Sequence, residues 1–320
     1  MQAAAAAPAA GAAVRVDGLE HAYGARVALR GVRFEVGQGE IFALLGPNGG
    51  GKTTLFRILS TLLEPTGGAA RILGCDVVRE RDAVRRRIGV VFQAPALDRK
   101  LTVRENLVHQ GHLYGLRGAE LARRIDAGLQ RFGLAERGRD LVEDLSGGLR
   151  RRVELAKGLL HGPQVVLLDE PSTGLDPGAR RDLWALLQEI RAADGVTVLL
   201  TSHILEEVER ADRVAILDRG ALVALGSPRE LEDGLGGSVV SVVGHDPERL
   251  QRDIAARFGL QAAAIDGTLR FEQAAGPDLV HKLAEAFPND IESMTLARPT
   301  LEDVFIHCTG HAFDGREGGA

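Results

Sequence analysis

Nine consecutive residues, Gly46, Pro47, Asn48, Gly49, Gly50, Gly51, Lys52, Thr53 and Thr54, set glycines, a lysine and a hydroxyl at the spacing G-x-x-x-x-G-K-[ST]. Such a stretch can grip phosphate. Glycines let successive backbone N–H groups curl around phosphate oxygens, and a helix beginning there adds the partial positive charge of its N-terminus. Lys52 would reach the outer phosphates, and the Thr53 hydroxyl could ligate Mg²⁺. A second constellation is the carboxylate pair Asp169-Glu170, which ends the apolar run Val165-Val-Leu-Leu168. Asp169 is placed to hold Mg²⁺ through its water shell, and Glu170 to accept a proton from an attacking water. The third is Ser146-Gly147-Gly148, opening an amphipathic stretch and offering a second helix N-terminus to an anion. Strands often end in acidic turns and Ser-Gly-Gly is an ordinary cap, so neither of these two decides alone.

These groups act together only if regular elements bring them together. The phosphate loop follows the apolar run Ile41–Leu45 and precedes the helical Leu55–Ser60, the strand–loop–helix context that the motif needs. Residues 14 to about 230 alternate β-rich runs with amphipathic helices, the pattern of an α/β layer fold. Ile41–Leu45, Ile88–Phe92, Val165–Leu168, Val196–Leu200 and Val214–Leu217 are predicted core strands. From about 98 to 160 the pattern is helical, with a capping box at Thr102-Val-Arg-Glu105, which predicts an inserted helical segment. Beyond Gly234 the order strand, helix, strand, strand, helix, strand predicts a small α+β unit of ferredoxin-like type, followed by a helix opened at Thr300. The predicted organisation is a tail over 1–13, a nucleotide-binding domain over 14–234, an accessory domain over 235–309 and a flexible end over 310–320.

Bulk properties narrow the function. The 320 residues carry a net charge of −5, against the basic footprint of a non-specific nucleic-acid binder, and no nucleic-acid partner is expected. No run approaches the roughly 18 apolar residues of a membrane span, and the Ala-rich start lacks the basic region of a signal peptide. Cys75 and Cys308 stand alone and are read as reduced structural thiols. The Arg-rich stretches Arg85–Arg87 and Arg150–Arg152 are read as solvated or surface positions.

Taken together, the phosphate loop, Leu145-Ser146-Gly147-Gly148 and the acidic strand resemble the ATP-binding cassette (ABC) family, in which Leu-Ser-Gly-Gly lies about twenty residues before the acidic strand. Here Ser146 precedes Asp169 by twenty-three positions. The resemblance implies further roles. Tyr23 would stack on adenine, Gln93 would touch Mg²⁺ and water and link to the helical insert, Asp176 would lie in the loop crossing to a partner subunit, and His203 would contact the γ-phosphate. Leu149 stands where many members have Gln, which implies tuned nucleotide affinity with activity kept. The stretches Arg85–Gln93, Leu97–Leu107 and Pro299–Phe305 resemble exporter ATPases of the daunorubicin-resistance and nodulation-export type, which pair with a separately encoded membrane permease.

The expectation is therefore an ATPase using ATP and Mg²⁺, with Lys52, Gln93, Glu170 and His203 as catalytic residues and Thr53, Gln93 and Asp169 at the metal. Two copies would pair head to tail, each ATP lying between one copy's Gly46–Thr54 loop and the other's Ser146–Gly148. The protein would sit at the inner face of the cell membrane through a polytopic permease. Two rival readings are a non-transport cassette ATPase acting on ribosomes or DNA, and a nucleotide-binding regulator without turnover. One cassette, no heptad run and no paired cysteines count against the first; Glu170 and His203 count against the second.

Overall fold

The structure, a computed structural model, describes residues 11–273 and 276–313. The chain opens with β1 (Ala12–Tyr23), β2 (Arg26–Gly37) and β3 (Ile41–Leu45). The phosphate loop leads into α1 (Lys52–Leu59), then β4 (Gly67–Ile72), β5 (Cys75–Asp76), α2 (Arg81–Arg85) and β6 (Ile88–Val91). Helices α3 (Val103–Leu113), α4 (Gly118–Arg131) and α5 (Gly147–Leu159) follow. Next come β7 (Val165–Leu168), α6 (Pro177–Asp194), β8 (Thr197–Ser202), α7 (Leu205–Val208), β9 (Arg213–Asp218), β10 (Ala221–Gly226) and α8 (Pro228–Asp233). The last part holds β11 (Ser238–Gly244), α9 (Pro247–Phe258), β12 (Ala263–Ile265), β13 (Thr268–Gln273), α10 (Gly276–Ala286), β14 (Ile291–Ala297) and α11 (Leu301–Thr309).

The sheet that organises the site has the order β10-β9-β3-β8-β7-β6. Strands β9, β3, β8, β7 and β6 run parallel, and only β10 is antiparallel. Both faces are covered, which is why these strands read as unbroken apolar runs. Ile41, Ala43 and Leu45 of β3 point to a cluster shared with α3 to α6, while Phe42 and Leu44 point to a second cluster under α1 and the other sheet. That other sheet, β2-β1-β4-β5, is antiparallel throughout. Its long, bulged strands blur the alternation that would mark them in the sequence.

The helical insert lies where its capping signals put it. Thr102 Oγ1 accepts from Glu105 N while Glu105 accepts from Thr102 N, closing the capping box of α3. At α6, Asp176 caps the N-terminus, Pro177 fills the first turn, and Gly195 ends the helix in the left-handed conformation that glycine adopts without strain. Among the described residues no helix is long and apolar enough to cross a membrane.

The C-terminal strands form an antiparallel sheet of order β12-β13-β11-β14, with α9 and α10 on one face. This is the split βαβ arrangement of a ferredoxin-like unit. Its core is separate, built from residues such as Val240, Ile254, Phe271 and Leu283.

Three boundaries differ from expectation. Helix α11 does not belong to that core: Leu301, Val304 and Phe305 are buried in the cluster of the nucleotide-binding domain, so the accessory unit does not extend through 309. An apolar stripe shows that a helix has a buried face without saying which core receives it. The domain also begins before 14, because Ala12 pairs with Gly37 and Ala13 accepts from Leu73 N. At the other end His311 and Phe313 are placed against Phe305, so the first residues of the expected flexible end are packed; 314–320 lie outside the described residues, as do 1–10.

Candidate functional site

Four of the strands that run parallel deliver the site. In the order β3, β8, β7, β6, their C-terminal ends carry the phosphate loop, His203, Asp169-Glu170 and Gln93. Residues far apart in the chain become neighbours along one edge, where ligands of open parallel sheets bind.

The phosphate loop is pressed against its surroundings in ways that require glycine. A Cβ on Gly46 would lie 2.3 Å from the Leu217 carbonyl oxygen, and one on Gly51, at φ +105°, would lie 2.8 Å from Ala28 O. Lys52 is buried and turns back on its own loop: Nζ donates to Gly46 O at 2.6 Å and Pro47 O at 3.1 Å, and lies 3.8 Å from Glu170 Oε1. Burial pushes its ammonium below the usual lysine range, against the pull of Glu170 and Asp169. Thr53 is exposed at the first turn of α1 and free to face a ligand, while Thr54 is buried.

Glu170 is the centre of the constellation. Oε2 accepts from Gln93 Nε2 at 3.0 Å and from Thr173 Oγ1 at 3.3 Å, and lies 3.3 Å from His203 Nδ1. The His203 contact, followed by the attraction of His203 and Lys52, holds its carboxyl below the usual glutamate range despite burial. Its backbone sits at φ +43°, a left-handed conformation that costs a non-glycine residue about 1–2 kcal/mol. The neighbouring Asp169 is shifted the other way, raised by burial and partly restored by Thr201. Thr201 Oγ1 donates to Asp169 Oδ1 at 2.7 Å and accepts from Glu170 N at 2.8 Å, so one fully buried hydroxyl fixes both acids.

The second oxygen of Asp169 takes no hydrogen bond among the described residues, and Thr53 and Gln93 add oxygen ligands of the hard type that Mg²⁺ prefers. Among the described residues no group of three or more His, Cys, Asp or Glu side chains could enclose a metal. This donor set suits an ion completed by phosphate and water.

Ser146, Gly147 and Gly148 lie elsewhere. Ser146 Oγ caps α5 by accepting from Leu149 N at 3.3 Å, and the two glycines, with Asp176 and Gly178, line a groove of about 520 Å³ between α5 and α6. No residue of the phosphate loop lines that groove. Asp176 is committed to capping, accepting from Gly178 N and Ala179 N; the latter bond leads in lowering its carboxyl. Leu149 packs partly against the large cluster, a helix-packing role. Tyr23 ends β1 with 45% of its surface exposed and a face available for stacking, edge-on to His21.

Sequence reasoning misjudged Arg151 and passed over Glu154, Thr173 and Thr201. Arg151 was grouped with solvated arginines, yet it is 8% exposed, and Glu154 one turn later is 6% exposed. A charge run conceals which member points inward; the spacing of Arg151 to Glu154, on the face that carries Leu155 inward, was the only available signal.

The sequence matches the family described as ABC transporter over residues 29–173. The daunorubicin resistance ATP-binding protein DrrA3 of Streptomyces coeruleorubidus is 43% identical over 307 residues, covering 93% of this chain and 96% of that protein. The Nod factor export ATP-binding protein I of Rhizobium johnstonii is 36% identical, with 94% and 96% covered. Among solved structures, cbiO1 of Clostridium perfringens, part of the transporter complex cbiONQ, superposes with a TM-score of 0.66 at 27% identity, covering 78% of this chain and 96% of that one. The ATP-binding cassette MJ0796, dimeric with ADP and phosphate, gives 0.61 at 28% identity, with 67% and 98% covered.

Proposed function

This chain belongs to the ABC transporter family, and from that premise we propose that it is the ATP-hydrolysing subunit of an exporter, working as a head-to-tail dimer beneath a separately encoded permease. ATP binding and hydrolysis come with the family. Export, the dimer, the permease and the residue roles are the proposal. The relatives named for daunorubicin resistance and Nod factor export support the transport direction. A chain without a membrane-crossing helix among its described residues fits a position on the cytoplasmic face.

The observation that carries the reading is Glu170, on which Gln93, His203, Thr173 and Lys52 converge. Phosphates arriving at the loop would replace the carbonyls of Gly46 and Pro47 as partners of Lys52. Their charge favours the protonated ammonium that burial disfavours. Adenine stacks on Tyr23. Thr53, Asp169 and Gln93 would hold Mg²⁺, which when bound neutralises charge on the phosphates. Glu170 then orients a water with Gln93 and His203 and accepts its proton. A carboxylate with a lowered pKa is a weak base, so its contribution is placement first and proton acceptance late, as a loose phosphoryl-transfer transition state allows.

The groove lined by Ser146, Gly147 and Gly148 excludes the phosphate loop, which supports a site completed by the partner copy. Replacing Glu170 with Gln should leave ATP binding intact, lower phosphate release about 10²–10⁴-fold and accumulate an ATP-bound dimer on size-exclusion chromatography. Hydrolysis at the wild-type rate would overturn the assignment.

A further inference from the structure

We propose that Arg151 and Glu154 are positioning residues that make α5 a strut, joining the half-site it offers a partner's nucleotide to the hydrolytic groups of its own subunit. The inference rests on the roles given above to Ser146–Gly148 and Glu170.

The two side chains are an ion pair one turn apart, Nη1 to Oε2 at 2.7 Å, and both are buried. Among the described residues, their other hydrogen bonds all go to backbone of the segments that carry Gln93 and Glu170. Arg151 Nε donates to Pro171 O at 2.7 Å and Nη1 to Phe92 O at 2.9 Å, with Nη2 at 3.4 Å from the carbonyls of Asp169 and Glu170. Glu154 Oε1 accepts from Ala96 N at 2.9 Å. The segment carrying Gln93 is therefore held on both sides, at Phe92 by the arginine and at Ala96 by the glutamate. The turn carrying Glu170 is held at three successive carbonyls.

A buried ion pair is by itself poor evidence of stabilisation, since a packed apolar pair fills the same space at less desolvation cost. What this pair supplies is direction. A planar guanidinium presents donors in a fixed fork and can hold several carbonyls at set angles, which an ammonium cannot. Such restraint is needed here because the Glu170 backbone is left-handed. Thr201 holds that residue through its N–H and Arg151 through its carbonyl.

The same helix begins at Ser146, five residues before Arg151, or about 7–8 Å along the axis. A phosphate drawn onto the N-terminus of α5 moves the helix as a rod, and Arg151 and Glu154 move with it. Occupation by the partner's nucleotide is thereby registered at Gln93 and Glu170 of the subunit that owns the helix.

Hydrogen exchange on the full-length chain tests this. The parent is Glu170→Gln, in which hydrolysis is silenced. ATP should protect segments 92–97 and 169–173 in two parts, one from nucleotide in the same chain and one that disappears with Ser146→Arg, when dimerisation is blocked. Arg151→Met with Glu154→Gln removes both charges, leaves an acceptor for Ala96 N, and avoids an unpaired buried charge. Added to the parent, it should keep ATP affinity and dimerisation within about twofold yet abolish the dimer-dependent protection. In the otherwise wild-type chain it should lower kcat by about 10–100-fold with KM little changed, as expected of misplaced catalytic groups. Arg151→Lys should recover only part. Dimer-dependent protection that survives the double substitution overturns the proposal, as does a loss of ATP binding and dimerisation in step with kcat, which marks a merely structural pair. Turnover persisting in Glu170→Gln would defeat the assignment of Glu170 while leaving the exchange result to stand or fall alone.

Discussion

Replacing Thr201 with Val removes one hydroxyl at nearly constant volume. Two interactions go with it, the 2.7 Å donation to Asp169 and the 2.8 Å acceptance from Glu170 N. A hydrogen bond to a charged group is worth about 1.5–3 kcal/mol, and a buried N–H left unpaired costs about 1–3 kcal/mol. Because a single oxygen serves both, the combined loss is placed at roughly 3 kcal/mol. For a cooperative unit of this size that lowers Tm by about 6–12 °C in calorimetry. Function should suffer in a distinctive way. Burial already raises the Asp169 carboxyl and the Thr201 bond opposes the shift, so its loss raises the pKa further. At any given pH less carboxylate is then available to Mg²⁺, and the concentration of Mg²⁺ giving half-maximal ATPase should rise, increasingly so as the pH is lowered. Thr201→Ser keeps the hydroxyl and loses a methyl worth about 1 kcal/mol, so its Mg²⁺ dependence should match the wild type. A Val variant with wild-type Tm and wild-type Mg²⁺ dependence would refute the argument that this hydroxyl holds both acids.

Lys52→Ala should weaken ATP binding to the monomer, whereas Ser146→Arg should spare it and block ATP-driven dimerisation; identical binding defects in isothermal titration would contradict the two-copy site. Phe305→Ala should cost about 3–5 kcal/mol in urea unfolding of the nucleotide-binding core, because its ring is fully buried there; a loss confined to the C-terminal sheet would contradict the placement of α11. His161, stacked on Tyr114 and bonded to Ile88 O, has a pKa lowered to about 4, chiefly by burial. Its stabilising contribution is complete above the unfolded value near 6.5 and declines as pH falls toward about 4, by roughly 3 kcal/mol over that window. His161→Phe keeps the stack and should flatten the dependence of Tm on pH between those limits; an unchanged slope would count against it.

The phosphate loop, the acidic strand end and the capped helices were legible because each depends on residues adjacent in sequence. Ile41–Leu45 and Val165–Leu168 are strands with the expected bounds, since doubly covered strands are written as short apolar runs. What escaped depends on contacts across the chain. Thr201 acts on acids thirty-two and thirty-one residues earlier, and nothing local distinguishes it from any strand threonine. Arg151 reads like its neighbours Arg150 and Arg152 until a fold supplies the carbonyls of Phe92 and Pro171. The start of α11 at Thr300 was visible, but the core that receives the helix was not.

That destination has a bearing on how the protein is made. Leu301, Val304 and Phe305 fill the core whose strands begin at Ile41, so this domain is completed by a helix synthesised only after the whole accessory unit. Until then β10 and α8, against which α11 packs, lack that cover and remain open to chaperones and proteases. A chain ended by a premature stop after residue 235 would carry every group proposed to contact nucleotide and still present an unfinished core. Cellular quality control would thus be reading whether translation had passed the accessory unit through the stability of the domain that precedes it.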